Sequence, residues 1–319
     1  MRLTPEYEPV RKLYLSFVQE FFNTRFRYGK AICEIIKSVQ NHVAIELLIG
    51  LPDMPYFQEA CGRYQVALEN VTLNHDTPGR GIMAEYAPIF ARDEQGENIG
   101  LVFRNPFLKN SEELKRFSRR LVVANGFQAM DMGFEFSTAH LLVNEDVVFL
   151  SDCLFREQDR ERKLEFFAHH FPGQAFYVVP PLTGDVTKDL DMYLWPVAPK
   201  VWLVSEYPSH TPQAESIEPA LRALAEHGHT VHRLPGLEPA VCDDVNTVPN
   251  YANGVIINRA ALVPAYQRKE DGVVSGVLRD HGYEVFPIDC SEVILSNAGV
   301  HCMSKTVPAG GRTDADQPP

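Results

Sequence analysis

The sequence has no arrangement that would put its cysteines to metal or disulfide work. Six occur, at positions 33, 61, 153, 242, 290 and 302, with no CxxC pair and no Cys/His cluster of zinc spacing. Long apolar runs are missing as well. The most apolar early stretch, His42 to Leu51, is far too short to span a bilayer. Met1 and Arg2 lead into Thr4-Pro5-Glu6-Tyr7-Glu8-Pro9 rather than into the apolar core of a signal peptide. Basic residues are in deficit, 30 against 42 acidic ones, for a formal charge of −12. An acidic surface repels phosphate backbones, and Gly-rich phosphate loops and basic aromatic patches are absent. Nucleic acid and membrane are therefore excluded as expected partners, and a cytoplasmic setting with reduced thiols is the simplest expectation. No metal or organic cofactor is expected.

What is present is ordinary globular composition over 319 residues, 45% hydrophobic and 23% charged, carrying a repeat. A strand pair, an amphipathic helix and a further strand recur in that order. Leu141 to Val143 and Val147 to Leu150 flank the turn Asn144-Glu145-Asp146, Leu154 to His170 is predicted helical, and Phe176 to Val179 returns as a strand. The next copy pairs Tyr193–Trp195 with Val201–Val204, then has a helix over Ala214 to His227 and a strand over Thr230 to Leu234. A third pairs Gly254–Ile257 with Ala261–Pro264 and continues with a helix over Lys269 to His281 and a strand over Tyr283 to Pro287. An earlier copy has strands over Met83 to Ala91 and Gly100 to Arg104, a helix from Ser111 to Val123 and a strand near Gln128. The starts thus fall near 83, 140, 192 and 253, with a last one at Cys302. That last copy lacks a helix, which a helix near Phe17 to Val39 and a strand over Val43 to Leu51 would supply. Five such units suit a closed ring, one domain over residues 1–307 followed by a disordered tail over 308–319. An open α/β sheet is the alternative.

In a ring the repeat starts converge on the axis, and the residues there are rich in chemistry: Glu85, Glu135, Asp189, Asp191, Asn253, His301 and Cys302. Four carboxylates and a thiol suit a cation attacked by sulfur. A guanidinium presents a planar fork of N–H donors that carboxylates accept bidentately, which would fix its central carbon within reach of a cysteine nucleophile. His140, at the start of a strand, is read as structural. The other five cysteines are read as packing or surface thiols.

The C-terminal third resembles the agmatine deiminases, in the guanidino-group-modifying branch of the pentein superfamily. Asn250-Tyr251-Ala252-Asn253-Gly254-Val255-Ile256-Ile257, Val263-Pro264-Ala265-Tyr266 and Asn297-Ala298-Gly299-Val300-His301-Cys302-Met303-Ser304 carry the likeness. The family's closing motif reads Gly-Gly-Gly-Ile-His-Cys-Ile-Thr. Thr4-Pro5-Glu6-Tyr7-Glu8-Pro9 is similar to the family's Pro-Ala-Glu-Trp-Glu-Pro, so the likeness reaches nearly the whole chain, with gaps in the middle. It implies an α/β propeller of five pseudo-symmetric strand–strand–helix–strand repeats around a central channel. It also implies that Cys302 is the nucleophile. Glu85 falls on the family's substrate-binding Asp, Glu135 on the acid of Glu-Gly-Gly (here Glu135-Phe136-Ser137), and Asp191 on the acid of His-x-Asp. Asp189 replaces that motif's general acid/base histidine.

These readings lead to a cysteine-dependent enzyme that cleaves or transfers a C–N bond of a small cationic guanidino-type substrate through a thiouronium. Cys302, Asp189 and His301 are the candidate catalytic residues. Glu85, Glu135, Asp191 and Asn253 are the candidate binding residues, Asn253 by organising hydrogen bonds. Amidino transfer in a specialised pathway and a catalytically degenerate binding module are the alternatives. No oligomeric state follows from the sequence, and a homo-oligomer is compatible with it.

Overall fold

The computed structural model describes residues 1–18, 28–242 and 245–310. The chain opens with β1 (Arg2–Leu3), β2 (Val10–Phe17), α1 (Tyr28–Val39), β3 (Ala44–Ile49), α2 (Met54–Tyr64) and β4 (Val71–Asn74). One arrangement then recurs. In β5 (Ile89–Arg92), β6 (Asn98–Arg104), α3 (Ser111–Ala124) and β7 (Gln128–Glu135), the first two strands pair antiparallel and the third returns parallel to the second. The same pattern holds for β8 (Leu141–Asn144), β9 (Val147–Ser151), α4 (Arg160–His170) and β10 (Ala175–Val179). It holds again for β11 (Leu194–Ala198), β12 (Val201–Glu206), α5 (Pro212–Glu226) and β13 (Thr230–Pro235). A hairpin of β14 (Ala240–Cys242) and β15 (Val245–Thr247) precedes the copy built from β16 (Val255–Ile257), β17 (Ala260–Ala265), α6 (Asp271–Asp280) and β18 (Glu284–Asp289). Finally β19 (Ser304–Pro308) pairs antiparallel with β2, which runs parallel to β3, and β3 to β4. The two ends of the chain therefore share one sheet, and β1 adds to the edge of β5. The sheets are small and open.

Sheets this small bury little on their own and depend on the helix laid across them. α3 illustrates the fit. Leu114, Phe117, Leu121 and Val122 form its buried stripe, and Glu112 and Glu113 in its first turn complement the helix dipole. No helix among the described residues is long and apolar enough to cross a membrane.

Three asparagines stitch neighbouring units through their hairpins. Asn144 donates to the carbonyls of Ala198 and Val201 and accepts from the Lys200 amide. Asn258 accepts from the Val10 amide and donates to the carbonyls of Val10 and His42. Asn98 donates to the Ala309 carbonyl. Other joints are apolar or mixed: Trp195 packs where Gly254 has no Cβ, Tyr283 bonds the Val197 carbonyl, and Thr138 bonds the Ala87 carbonyl.

Several boundaries differ from the sequence expectations. Phe17, where the expected helix was to begin, is the last residue of a strand that is claimed on both edges by β19 and β3. α1 begins at Tyr28, and the expected helix over 19–27 lies outside the described residues. Met83–Glu85 is a 3-10 turn bonded from the Ala84 amide to the Cys302 carbonyl, so β5 starts later than expected. α4 starts at Arg160 rather than Leu154, since Asp152–Leu154 forms its own 3-10 turn. Pro308 belongs to β19 and Ala309 bonds the Pro9 carbonyl, so the expected disordered tail does not begin at 308. Residues 311–319 lie outside the described residues. α2 and the β14–β15 hairpin had no sequence signal strong enough to be assigned.

Asn258 sits at φ 56°, in the left-handed region that Asn tolerates better than most residues. Asn258→Ala is expected to cost about 2–4 kcal/mol, from the lost hydrogen bonds and the strained backbone. Urea unfolding should detect it, and Asn258→Gly should recover only the backbone share.

Candidate active site

The candidate residues lie just ahead of the first strands of their units or at a strand end. Glu85 closes the 3-10 turn before β5, Glu135 ends β7, and His140 closes the turn before β8. Asp189 caps and Asp191 lies within the turn Leu190–Met192 before β11. Asn253 precedes β16, and His301 and Cys302 precede β19. The turn at Met83–Glu85 touches β19 and the turn at Thr138–His140, which in turn touches that at Leu190–Met192. Local chemistry fixes Asp189. Asp185 accepts from the amides of Thr187 and Lys188 and from the Thr187 hydroxyl, and Lys188 adopts φ 62° on entry to the turn.

Asp189, Asp191 and Cys302 converge, their ligand atoms all within 4.8 Å of one another. The Cys302 sulfur accepts from Asn253 Nδ2 at 3.1 Å and lies 3.6 Å from Asp191 Oδ2. Asn253 Oδ1 accepts from the Cys302 amide, so one side chain positions both backbone and thiol. A Cβ at Gly299 would meet that Oδ1 at 2.4 Å, which is why this position of the motif has no side chain. Cys302 is 2% exposed, not open to solvent as a freely reactive thiol would be. Burial, then Asp191 and Asp189, push its thiol well above the ordinary value.

His301 does not bond the sulfur. Its Nδ1 meets Asp191 Oδ2 at 2.6 Å and its Nε2 meets Glu6 Oε2 at 2.6 Å. Burial opposes the charged imidazole, but Glu6 and Asp191 prevail and push it up to about 10. The other Glu6 oxygen meets Lys305 Nζ at 2.6 Å. Burial works against the Glu6 charge, and Lys305 and His301 overcome it and hold the carboxyl far below its usual range. One oxygen, Asp191 Oδ1, is buried and has no hydrogen-bond partner among the described residues.

A second imidazole backs the other aspartate. His140 Nε2 meets Asp189 Oδ1 at 2.8 Å, and against the effect of burial its pKa is pushed up to about 10 by Asp189 and Cys153. Asp189 itself is raised by burial and by Asp191, with His140 opposing. Glu85 is bound by Arg80, Nη2 to Oε2 at 2.7 Å; burial raises it, Arg80 lowers it and Asp189 raises it. Glu135 lies 3.9 Å from Arg156, and among the described residues it makes no hydrogen bond to the Cys302 group.

Of the four expected carboxylates, Asp189, Asp191 and Glu85 each already face a cation of the chain itself, and Glu135 lies 3.9 Å from Arg156. Sequence reasoning missed Glu6, Lys305 and Arg80 and gave His140 no chemistry. Glu6 lay in plain view inside Thr4-Pro5-Glu6-Tyr7-Glu8-Pro9; the other three had no motif to mark them. Asp189, Asp191 and Cys302 are close enough to share a metal ion, but imidazoles already occupy Asp189 Oδ1 and Asp191 Oδ2. Two small cavities lie against Glu6. One of about 10 Å³ is lined by Glu6, Asp191, Trp195 and Gly254, and one of about 30 Å³ by Glu6, Phe90 and Lys305. Both are of water size, roughly 10–15 Å³ sufficing for one molecule.

The chain is similar to several solved structures. Agmatine deiminase of C. jejuni superposes with a TM-score of 0.80 at 18% identity, over 98% of this chain and 97% of that one. For agmatine deiminase of Enterococcus faecalis the TM-score is 0.79 at 14% identity, over 96% and 95%. DDAH from Pseudomonas aeruginosa gives 0.56 at 11% identity, over 94% and 100%. At these identities the likeness concerns the fold, which is the pentein-type α/β fold. No curated protein matches the sequence. The family model of the Porphyromonas-type peptidyl-arginine deiminases matches residues 139–308, a stretch that holds His140, Asp189, Asp191, Asn253, His301 and Cys302. More than half of the chain lies within that match, and the protein belongs to the Porphyromonas-type peptidyl-arginine deiminase family.

Proposed function

We propose that the protein is a cysteine-dependent enzyme cleaving or transferring a C–N bond of a small guanidino or related cationic substrate. The observation that carries this reading is Asp191. Its Oδ2 lies 3.6 Å from the Cys302 sulfur, and its Oδ1 is a buried acceptor without a donor. A substrate N–H on Oδ1 would set the carbon between its nitrogens beside the sulfur. The family membership and the names of the similar structures agree with this class of substrate. In this reading the substrate approaches from the side of Asp189 and Glu85.

In this mechanism the incoming positive charge offsets Asp189 and Asp191 and eases ionisation of Cys302. The thiol proton passes to Asp189 as sulfur bonds to carbon, giving a tetrahedral adduct. Asp189 returns the proton to the departing nitrogen, the C–N bond breaks, and a thiouronium remains on Cys302. Water entering next, deprotonated by Asp189, releases a ureido product and restores the thiol. An amine entering instead completes an amidino transfer. His140 acts behind Asp189 and sets how readily that carboxylate holds a proton. We further propose that the five units, within residues 1–307, stand as a propeller about an axis through this site. Contacts between each unit and the next, and Asn98 on Ala309 between the first and last, support that arrangement.

A second reading, a binding module that has lost catalysis, is favoured by the buried, raised Cys302 thiol; the Asp that the resemblance to the agmatine deiminases sets at the histidine position of their motif agrees with it. A screen of guanidino compounds, scoring ammonia and urea release, separates the two. Turnover that disappears in Cys302→Ala supports the enzyme, and turnover that survives there ends the covalent mechanism. A chloroacetamidine-type probe should modify Cys302, guanidino compounds should protect it, and Asp191→Asn should slow that labelling about 100-fold or more.

His301 gives a pH prediction. Its pKa lies near 10 in the folded chain against about 6.5 unfolded, so its stabilising contribution is complete below about pH 6.5 and is lost as pH rises through about 10. His140 works in the same window. Melting temperature should therefore fall between pH 7 and 10.5, and His301→Gln should flatten part of that slope, leaving the share due to His140.

A further inference from the structure

The side chains around Cys302 become more exposed in one direction. Asp191 is 2% exposed, Asp189 15% and Glu85 31%. At the outer end stands Phe107, a residue that the Cys302 mechanism does not use and that is 58% exposed. Its ring meets the His140 ring edge to face, with centroids 5.6 Å apart, and His140 Nε2 is the atom that meets Asp189 Oδ1. The turn that carries Phe107 is tied to the same rim. The buried Asn105 accepts from the Phe107 amide at 2.8 Å and donates to the Glu85 carbonyl at 2.6 Å. Single exposed apolar residues are ordinary on a protein surface. This one is held in place by contacts that lead to two residues of the site.

Arg80 shapes the rim by charge. Its Nη2 and Nε lie 2.7 and 3.2 Å from one oxygen of Glu85. The pair is anchored from behind, since the Arg80 carbonyl accepts from Ser16 Oγ at 2.6 Å and from the Tyr86 hydroxyl at 3.2 Å. Glu85 is therefore occupied by a guanidinium of the chain itself. Asp189 is occupied by His140, and Asp191 Oδ2 by His301. Asp185, on the loop that leads to Asp189, uses both oxygens on Thr187 and Lys188. A substrate with one positive end finds the open acceptor Asp191 Oδ1. A second positive end farther along the same molecule would meet Arg80 and Phe107, and none of these carboxylates is free to receive it.

We propose that Phe107 and Arg80 determine the specificity of the Cys302 site, Phe107 by receiving an apolar tail and Arg80 by keeping Glu85 from a second cation. The substrate class that fits is a monocationic guanidine with an uncharged, apolar body, not one that ends in an ammonium. This rests on the function proposed above, since it takes the guanidinium to sit on Asp191 beside the sulfur. An alkyl or aryl tail running from there to the rim covers the Phe107 ring, and both lose apolar area to water. An ammonium at the same place loses hydration, gains no acceptor and faces the Arg80 charge. Discrimination comes as much from repelling the wrong tail as from contact with the right one.

Pentylguanidine and 4-aminobutylguanidine test this on the full chain. They have the same length and differ in a terminal methyl against a terminal ammonium. Each is titrated as a protectant of Cys302 against a chloroacetamidine-type probe. Pentylguanidine should protect at a concentration about 10-fold lower. Phe107→Ala should raise its half-protecting concentration about 10-fold and move that of 4-aminobutylguanidine less than about 2-fold. Arg80→Gln should lower that of 4-aminobutylguanidine about 5-fold by releasing Glu85, and Arg80→Lys, which keeps the charge, should hold it near the starting value. Equal protection by the two compounds, or a ratio that either Phe107→Ala or Arg80→Gln leaves unchanged, would overturn the specificity assigned here and leave the function of Cys302 standing. If the reaction of the probe with Cys302 ignores both compounds, the function proposed above falls, and this inference falls with it.

Discussion

A buried imidazolium between two carboxylates is the interaction on which the centre of this molecule depends. His301 is almost wholly enclosed, and a buried charge without partners is among the costliest features a fold can carry. Asp191 on one side and Glu6 on the other make it tolerable, and Lys305 does the same for Glu6. The four signs alternate, so no member is left uncompensated. Removing any one of them would leave its neighbour buried and unpaired, which is worse than never having had the pair. Glu6 comes from the start of the chain, Asp191 from its middle, and His301 and Lys305 from near the described end. Formation of the site and closure of the sheet shared by β2 and β19 are therefore one cooperative event.

The stitching between units serves the same end. Three-stranded sheets are poor independent folding units, and here each gains its stability by leaning on the next. An asparagine at a hairpin can donate and accept at once, so Asn144 and Asn258 satisfy the neighbour's backbone without demanding any partner in return. Fixing the hairpins fixes the turns at the opposite ends of the first strands, and those turns carry Asp189, Asp191 and His140.

Much of this was legible in the chain. The recurrence of strand, strand, helix and strand could be read because each element keeps its own hydrophobic period, and the clustering of acids and sulfur at repeat starts could be read because those starts are short and polar. What escaped reading is what pairs across the chain. Nothing near Arg80 says that it will face Glu85, and nothing near His140 says that it will meet Asp189, 49 residues on. The strand from Val10 to Phe17 went unassigned for a related reason. A strand buried on both edges loses the polar alternation that marks a half-exposed one, and its partners lie at opposite ends of the sequence.

The corrected charges change what recognition of a cation would mean here. Counting acids in the sequence suggests a site that draws a guanidinium by excess negative charge. With Asp189 facing His140, Asp191 facing His301 and Glu85 facing Arg80, the local charge is nearly balanced, and the attraction must come from geometry. Asp191 Oδ1 is an acceptor with a fixed direction and no competitor among the described residues, so a planar N–H donor is selected by fit more than by field. The placement of Asp189 has the same character. Seen from the sulfur, this carboxylate stands in front and the imidazole of His140 behind it. A carboxylate in front can carry a proton only if its affinity for one is raised, and burial and Asp191 supply that rise while His140 restrains it. In the proposed reaction the substrate's own charge would tip this balance, so proton transfer at Asp189 would respond to occupancy of the site and not to the pH outside.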